Sequence, residues 1–328
     1  MSRNLTLRRL LPIAISVAIF AMAGRVLWHT LHHIKLADVL AALHAIPPSA
    51  VLISALLVVT LYSGLALYEA IIVRFVEGAA SSRRAMLAAL LAAPIGHAVG
   101  WGTVSGGAIR YRVYSAVELP PLDIGKIALL AAIPYPAGLG LLLGVSLVLQ
   151  SGPAAGILHV SAALARGTGL ALLALHAAYG TLIMTRRTPL AIGRFRLKLP
   201  PPDLTAIQYC VGIVEVSCGA GVLYLMLPDM PGLPFIAFLG VYVLSILAAL
   251  ASSVPAGLLV LEAMLLRLLP HIPEPTLLAA VAVYRFVLEV VPLVIAISLF
   301  VAYELWWKLP RQRRRAAALK AERERRRD

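Results

Sequence analysis

Residues 94–114, PIGHAVGWGTVSGGAIRYRVY, interrupt a chain that is otherwise mostly apolar helix. The stretch contains a proline and several glycines, and both residue types weaken a helix. Non-helical backbone at membrane depth is stable only where it is covered by protein or lines a water-filled cavity. Arg110 and Arg112 follow the break, and their guanidinium groups suit an anionic headgroup. A glycine-rich packing face followed by a basic cytoplasmic loop is the alternative interpretation.

The composition around this stretch indicates an integral membrane protein. Of the 328 residues, 61% are hydrophobic and 13% are charged, whereas about a quarter of a soluble domain is charged. Apolar runs long enough to cross a bilayer recur throughout the chain. The sequence predicts an all-α polytopic membrane protein with about eight transmembrane helices and a Gly-rich re-entrant or broken helix. Residues 1–307 are the predicted transmembrane domain, and 308–328 are a basic cytoplasmic tail.

The net charge of +14 is concentrated in loops and in the tail. The positive-inside rule accounts for most of it and places both termini in the cytoplasm of a bacterial inner membrane. The tail could also attract anionic lipid. Nucleic-acid binding is not expected, because no folded nucleic-acid-binding domain accompanies the tail. His29 and His33 share a predicted helix face, but the HExxH pattern is absent, so no metal site is predicted.

Charge and length together predict a re-entrant segment. The basic loops at 74–84 and 186–198 should both be cytoplasmic, so an even number of crossings must separate them. Three apolar segments lie between these loops, and the glycine-broken one at about 85–107 is predicted to enter and return. Full crossings are predicted at 10–23, 49–73, 124–149, 157–184, 204–227, 235–252, 254–269 and 277–307.

Ionisable residues also occur inside the apolar runs, at Arg166, Glu215, Glu262, Arg285 and Glu289, together with His97 and His176. Each charge at bilayer depth costs about 2.5–3.5 kcal/mol on insertion scales, so these side chains should pair or line a cavity. Arg285 and Glu289 are spaced to neutralise each other on one helix face. Arginines can hold a phosphate and carboxylates can face an ammonium group. This chemistry holds a lipid headgroup and needs no covalent step.

Motifs of catalysis and nucleotide binding are absent from the sequence. It contains no GxxxxGK[ST], no GxSxG and no CxxC, and its paired glycines lack the Rossmann spacing. Small-xxx-small spacing, as at Gly96 and Gly100, favours helix packing instead. The protein is therefore predicted to be no enzyme and to need no cofactor.

The run TVSGGAIRYRVY at 103–114 resembles the SGxxIRYRxY signature of the lysylphosphatidylglycerol synthase transmembrane region, the flippase-like part of multiple peptide resistance factor proteins. Residues 215–228 resemble its glutamate helix, SSVPAGLLVLE at 252–262 is similar to its SxxPGGLGxxE segment, and Tyr284-Arg285 matches its YR pair. The resemblance spans about 50–305. This sequence departs from the family pattern in two places. Leu288-Glu289 stands where a Tyr-Tyr pair is common, and Ala256 and Leu259 stand where glycine is usual. The soluble aminoacyltransferase domain of full-length members is not expected here.

The resemblance implies movement of an aminoacylated or anionic phosphatidylglycerol-type lipid between leaflets, an activity connected with antimicrobial peptide resistance. It implies substrate contacts from one group near the signature, Ser105, Gly106, Gly107, Arg110, Tyr111 and Arg112, and from a second group along the path, Glu215, Glu262, Tyr284 and Arg285. Two alternatives stay open. One is a non-transporting partner of a separate lipid aminoacyltransferase or other lipid-modifying enzyme. The other is an intramembrane lipid-headgroup transferase.

Overall fold

A computed structural model describes residues 46–76, 80–99, 102–185, 190–192, 195–197, 200–227, 233–251, 257 and 260–305. The helices are α1 (Pro48–Phe75), α2 (Ser82–Val99), α3 (Gly102–Tyr114), α4 (Pro121–Ala131), α5 (Pro134–Leu149), α6 (Ser151–Leu158), α7 (Ala162–Thr185), α8 (Pro202–Met226), α9 (Phe235–Ala251), α10 (Val260–Leu268), α11 (Glu274–Arg285) and α12 (291–305). A short 3₁₀ turn, Ser115–Val117, follows α3. The predicted crossing at 10–23, the histidines near 29–33 and the basic tail lie outside the described residues.

The all-α membrane class is confirmed. Among the described residues, five helical segments are long and apolar enough to cross a bilayer, and a shorter apolar helix covers Phe235–Ala251. These segments are Pro48–Phe75, Pro121–Leu149, Ala162–Thr185, Pro202–Met226 and Thr276–Leu305. Within the predicted crossing at 254–269, the described helix is Val260–Leu268, of 9 residues. At about 1.5 Å per residue, this helix is too short to cross alone.

One short β ribbon accompanies the helices in the described part of the chain. It pairs β1 (Leu190–Ile192) with β2 (Phe195–Leu197) in antiparallel fashion, and Leu190 lies opposite Leu197. The ribbon falls within the basic loop between α7 and α8, which the sequence predicted to be cytoplasmic. Each strand has 3 residues, so the ribbon is a local feature of a helical protein.

The glycine-rich stretch forms a helical hairpin, because α3 returns along α2. A Cβ atom on Gly106 would lie 3.3 Å from the carbonyl oxygen of Ala92. Ala92 precedes positions 100–101 in the sequence and Gly106 follows them, so the chain must reverse direction between these two residues. The arm α3 has 13 residues and is about 20 Å long, shorter than a hydrocarbon core of about 30 Å. The predicted helix break is present, and these dimensions favour a segment that enters and returns.

Pro134 interrupts the span Pro121–Leu149 and leaves one carbonyl of α4 without its helical donor. Proline has no N–H, so the oxygen of Leu130, four residues earlier, loses its regular partner. The Tyr68 hydroxyl of α1 donates to this oxygen at 2.9 Å, and a longer contact of 3.3 Å comes from the N–H of Ile133. Gln208 of α8 donates to Tyr68 at 2.9 Å. The broken helix is thereby satisfied from neighbouring helices, as bilayer depth requires.

Pro292 has the same effect on the last span. Its missing N–H leaves the Leu288 oxygen without a regular partner, and the backbone widens into a π turn at Phe286–Val290. The Tyr62 hydroxyl of α1 donates to Leu288 at 3.3 Å. The same helix, α1, therefore supplies hydroxyl groups to two proline-broken helices.

We expect Tyr68→Phe to lower the free energy of unfolding by about 1–3 kcal/mol, since it leaves a buried carbonyl poorly satisfied. Tyr111→Phe is the matched control, because the Tyr111 side chain is exposed and its change should stay within about 0.5 kcal/mol. Reversible unfolding in mixed micelles measures both. Equal effects of the two variants would contradict the role assigned to Tyr68.

Glycine residues allow α5 to approach α7 and α8 closely. A Cβ on Gly138 of α5 would overlap the backbone of Gly212 in α8. A Cβ on Gly169 of α7 would lie 2.8 Å from the Gly144 oxygen of α5. Small residues at membrane helix crossings let backbones pack closely. The α5–α8 crossing adjoins Tyr135 and Glu215, so it also positions the polar residues described below.

Candidate functional site

Most of the charged and titratable side chains that pair within the described bundle fall into two regions. The first, called the hairpin region, contains Glu69, Arg110, Arg112, Tyr114 and Glu304. The second, called the polar interior, contains His97, Glu215, Glu262, Arg285 and Glu289, with four tyrosines among them: Tyr62, Tyr135, Tyr242 and Tyr284.

Arg110 forms a multiple ion pair in the hairpin region. Its Nε donates to both Glu69 oxygens at 2.9 Å, and its Nη2 donates to Oε2 at 2.6 Å. The Tyr114 hydroxyl donates to Glu69 Oε1 at 3.0 Å. Glu69 is only 1% exposed and Arg110 9% exposed. The pair joins α1 to α3, and it holds the guanidinium that the resemblance assigned to lipid phosphate.

Arg112 is also paired, with Glu304 near the end of the last span. Its Nη2 lies 2.7 Å from the Glu304 carboxylate. Tyr111, between the two arginines, has an exposed side chain, whereas Ser105 is buried. Gly106 packs against α2, and a Cβ on Gly107 would lie 3.9 Å from Ala128 of α4. The signature motif therefore directs both arginines to protein carboxylates, and its predicted substrate contacts remain predictions.

Arg285 stands at the centre of the second region. Its Nε donates to Glu262 Oε1 at 2.6 Å and its Nη1 to Glu289 Oε1 at 3.1 Å. Its Nη2 donates to the Gly257 carbonyl at 3.3 Å. The Arg285 side chain is 2% exposed, compared with 16% for Glu262 and 20% for Glu289. The pairing of Arg285 with Glu289 is as the helical spacing indicated, and Glu262 joins it from α10.

Glu215 pairs with a histidine from the hairpin. The Nε2 atom of His97 lies 3.5 Å from Glu215 Oε1. The His97 side chain is 40% exposed, although Glu215 is 5% exposed. The imidazole ring lies 6.4 Å from the ring of Tyr62 and 6.2 Å from that of Tyr135. His97 therefore has one side exposed and the other against a buried carboxylate.

Tyrosines connect the two halves of the polar interior. Tyr284 and Tyr242 share a hydrogen bond of 2.9 Å between their hydroxyl groups. Tyr135 and Tyr242 lie close enough to both Glu215 and Glu289 for each charge to act on their hydroxyls. The structure thus brings Glu215, Glu262, Tyr284 and Arg285 into one region and places Arg110 and Arg112 in the other.

Two further ionisable residues of the apolar runs lie apart from both regions. The Nδ1 atom of His176 lies 2.7 Å from the Tyr209 hydroxyl, which joins α7 to α8. Arg166 is exposed on α7. Neither residue contributes to the polar interior.

Several members of the two regions did not stand out in the sequence. Glu69 is visible as a charge near the end of an apolar run, but nothing in the run identifies Arg110 as its partner. Tyr62, Tyr135 and Tyr242 are ordinary aromatic residues of apolar helices, and only the packing brings their hydroxyls together. The one usable signal was that every buried charge needs a partner.

Comparisons with known proteins support the membrane class. No family model matches the chain. It is 25% identical over 300 residues to an uncharacterized protein of Synechocystis sp., which covers 91% of this chain and 93% of that protein. It is also 28% identical over 217 residues to the inner membrane protein YbhN of Escherichia coli, covering 65% of this chain and 68% of YbhN.

Proposed function

We propose that this protein translocates a phosphatidylglycerol-type lipid, aminoacylated or anionic, between the leaflets of the inner membrane. The observation that supports the proposal is the polar interior, a set of carboxylates, an arginine and a histidine enclosed in an apolar helix bundle. Charges at bilayer depth cost about 2.5–3.5 kcal/mol each on insertion scales and usually mark a pathway for a polar substrate. The sequence resemblance to a flippase-like domain supports the same function.

Exposure within the polar interior favours a headgroup that carries an ammonium group. Glu262 and Glu289 are partly exposed, whereas the Arg285 side chain between them is 2% exposed. An arriving ligand therefore reaches carboxylate oxygens before it reaches the guanidinium. Carboxylates attract an ammonium group, and Arg285 could exchange one of its two carboxylates for the lipid phosphate.

In this proposal the hairpin provides the route for the headgroup. His97 lies near the end of α2, where its side chain is 40% exposed and contacts the buried Glu215. A headgroup would move through the polar interior while its acyl chains stay in the surrounding lipid. Broken helices beside a site near the bilayer midplane are a known device of transporters.

The test is a leaflet-resolved assay in proteoliposomes, with acyl-labelled phosphatidylglycerol and acyl-labelled lysyl-phosphatidylglycerol compared. Glu262→Gln is expected to slow movement of the lysyl lipid at least about tenfold, the equivalent of about 1.4 kcal/mol, since it removes a charge on the path. Arg267→Gln is the matched control, because Arg267 is exposed on the same helix, α10. Its rate should equal that of the unsubstituted protein.

Folding is checked first by size-exclusion chromatography and thermal unfolding of each variant. No movement of either lipid by folded, unsubstituted protein would reject the proposal and favour a docking subunit. Product formation from lipid by the purified protein alone would favour a headgroup transferase. Movement that Glu262→Gln leaves unchanged would keep the function and reject the path.

A further inference from the structure

The polar interior has more negative than positive groups. Glu215, Glu262 and Glu289 lie in it, and Arg285 is the one arginine that contacts any of them among the described residues. The two arginines of the hairpin region, Arg110 and Arg112, are each engaged by a carboxylate of their own. The interior therefore lacks a compensating cation, which a proton or a cationic ligand must supply.

The lack of a compensating positive charge is greatest at Glu215. Its carboxylate is 5% exposed, and His97 is its one ion-pair or hydrogen-bond partner within the described part of the chain. A buried carboxylate that is ionised and uncompensated is strongly unfavourable, so such a group takes up a proton. One proton makes the His97–Glu215 pair neutral, whether it resides on Glu215 as a carboxylic acid or on His97 beside a carboxylate.

The position of His97 gives that proton a route. Imidazole is the side chain that ordinarily changes charge near neutral pH. At 3.5 Å from Glu215 Oε1, His97 Nε2 can exchange a proton with it after a small approach or through one water molecule. The His97 side chain is 40% exposed, although its neighbour Ala98 and the adjoining Tyr62 are buried. It therefore connects the buried carboxylate to the accessible surface of the bundle.

Titratable and charged groups from each packed helix surround the pair. The charged groups that face the pair are Arg110 of α3, which acts on His97, and Glu289, which acts on the neighbouring Tyr62 and Tyr135. The tyrosine hydroxyls stay neutral and offer hydrogen bonds. These hydroxyls belong to Tyr62 of α1, Tyr135 of α5, Tyr242 of α9 and Tyr284 of α11.

We propose that His97 and Glu215 form a proton-binding site, and that a cationic headgroup entering the polar interior displaces its proton. In that step the O–H bond of Glu215 breaks, Nε2 of His97 accepts the proton, and His97 then releases it to water at its exposed side. The negative charge left on Glu215 is compensated by the arriving cation. The coupling to lipid movement rests on the proposed function, whereas the proton site does not.

The proton site is tested without transport, by infrared difference spectroscopy of the protein in nanodiscs over a pH titration. We expect a carboxylic-acid carbonyl band that Glu215→Gln removes and whose titration midpoint His97→Gln shifts. His176→Gln is the matched control, since His176 contacts Tyr209 elsewhere, and it should leave the band unchanged. Absence of any band sensitive to Glu215→Gln overturns the proposal. Loss of the band on adding Na⁺ at constant pH would assign the site to Na⁺ and equally overturn it.

The coupling is tested with a pH gradient imposed across proteoliposomes that contain labelled lysyl-phosphatidylglycerol. If one proton exchanges for each lipid, a gradient of one pH unit shifts the steady leaflet ratio of the lipid about tenfold, and Glu215→Gln abolishes this shift. Lipid movement that ignores the gradient overturns the coupling and leaves the proposed function standing. A Glu215-dependent infrared band without lipid movement supports the proton site and rejects the proposed function.

Discussion

Glu69→Ala is expected to destabilise the protein by about 3–5 kcal/mol, because it leaves a buried guanidinium without its counter-charge. The Arg110 side chain makes three contacts of 2.6–2.9 Å with Glu69. Removal of the carboxylate also leaves the Tyr114 hydroxyl without its acceptor. The free energy of unfolding in mixed micelles measures the effect.

Two further variants separate loss of a buried pair from general damage to the helix. Lys126→Ala breaks a pair with Asp123 whose lysine is 55% exposed, and an exposed pair contributes at most about 1 kcal/mol. The double variant Glu69→Leu/Arg110→Met removes both charges and should recover much of the lost stability. A double variant as unstable as Glu69→Ala would show that packing, rather than the unpaired charge, dominates at this position.

Gly212→Ala is the second substitution with a large expected effect, about 3 kcal/mol or more, at the upper end of overpacking penalties. The added Cβ would overlap the carbonyl group of Pro134, which is backbone and cannot rotate away. Relief therefore requires α5 to move from α8, and that movement would carry Tyr135 away from Glu215. Thermal unfolding in detergent and the pH-dependent infrared signal of Glu215 should both change.

The matched control is Gly167→Ala on α7. A Cβ there would have nothing within 4 Å, and alanine favours a helix over glycine by up to about 1 kcal/mol. Gly167→Ala should thus be neutral or slightly stabilising. A Gly212→Ala variant that unfolds at the same temperature as Gly167→Ala would contradict the close crossing of α5 and α8.

The membrane class and most long spans could be predicted because the length of an apolar segment is determined by consecutive residues of the sequence. Pro202–Met226, for example, closely matches the predicted crossing at 204–227. The helix break after Val99 was also predictable, since glycine clusters weaken a helix whatever its neighbours. The kinks were less predictable. Pro134 is visible in the sequence, but the hydroxyl of Tyr68 that makes its break tolerable lies 62 residues away from the satisfied carbonyl.

The candidate site was predictable where partners share a helix. Arg285 and Glu289 are four residues apart, so their contact follows from helical geometry. Glu69 and Arg110 are 41 residues apart on different helices, and no periodicity within either helix connects them. The motif resemblance implied that Glu215, Glu262 and Arg285 line one path, and the structure places these three residues in the polar interior. The resemblance could not show that the signature arginines lie in a separate region, because a motif carries residue types and spacing but no tertiary partners.

The hydrogen bond from Tyr62 to the Leu288 carbonyl spans 226 residues of sequence. The ribosome therefore synthesises the donor, Tyr62, long before the acceptor, Leu288. The Tyr62 hydroxyl of α1 is already present while the intervening helices are synthesised. When the final span emerges, its proline-broken carbonyl meets a donor already in place. The order of synthesis thus provides a partner for the Leu288 carbonyl before that carbonyl enters the bilayer.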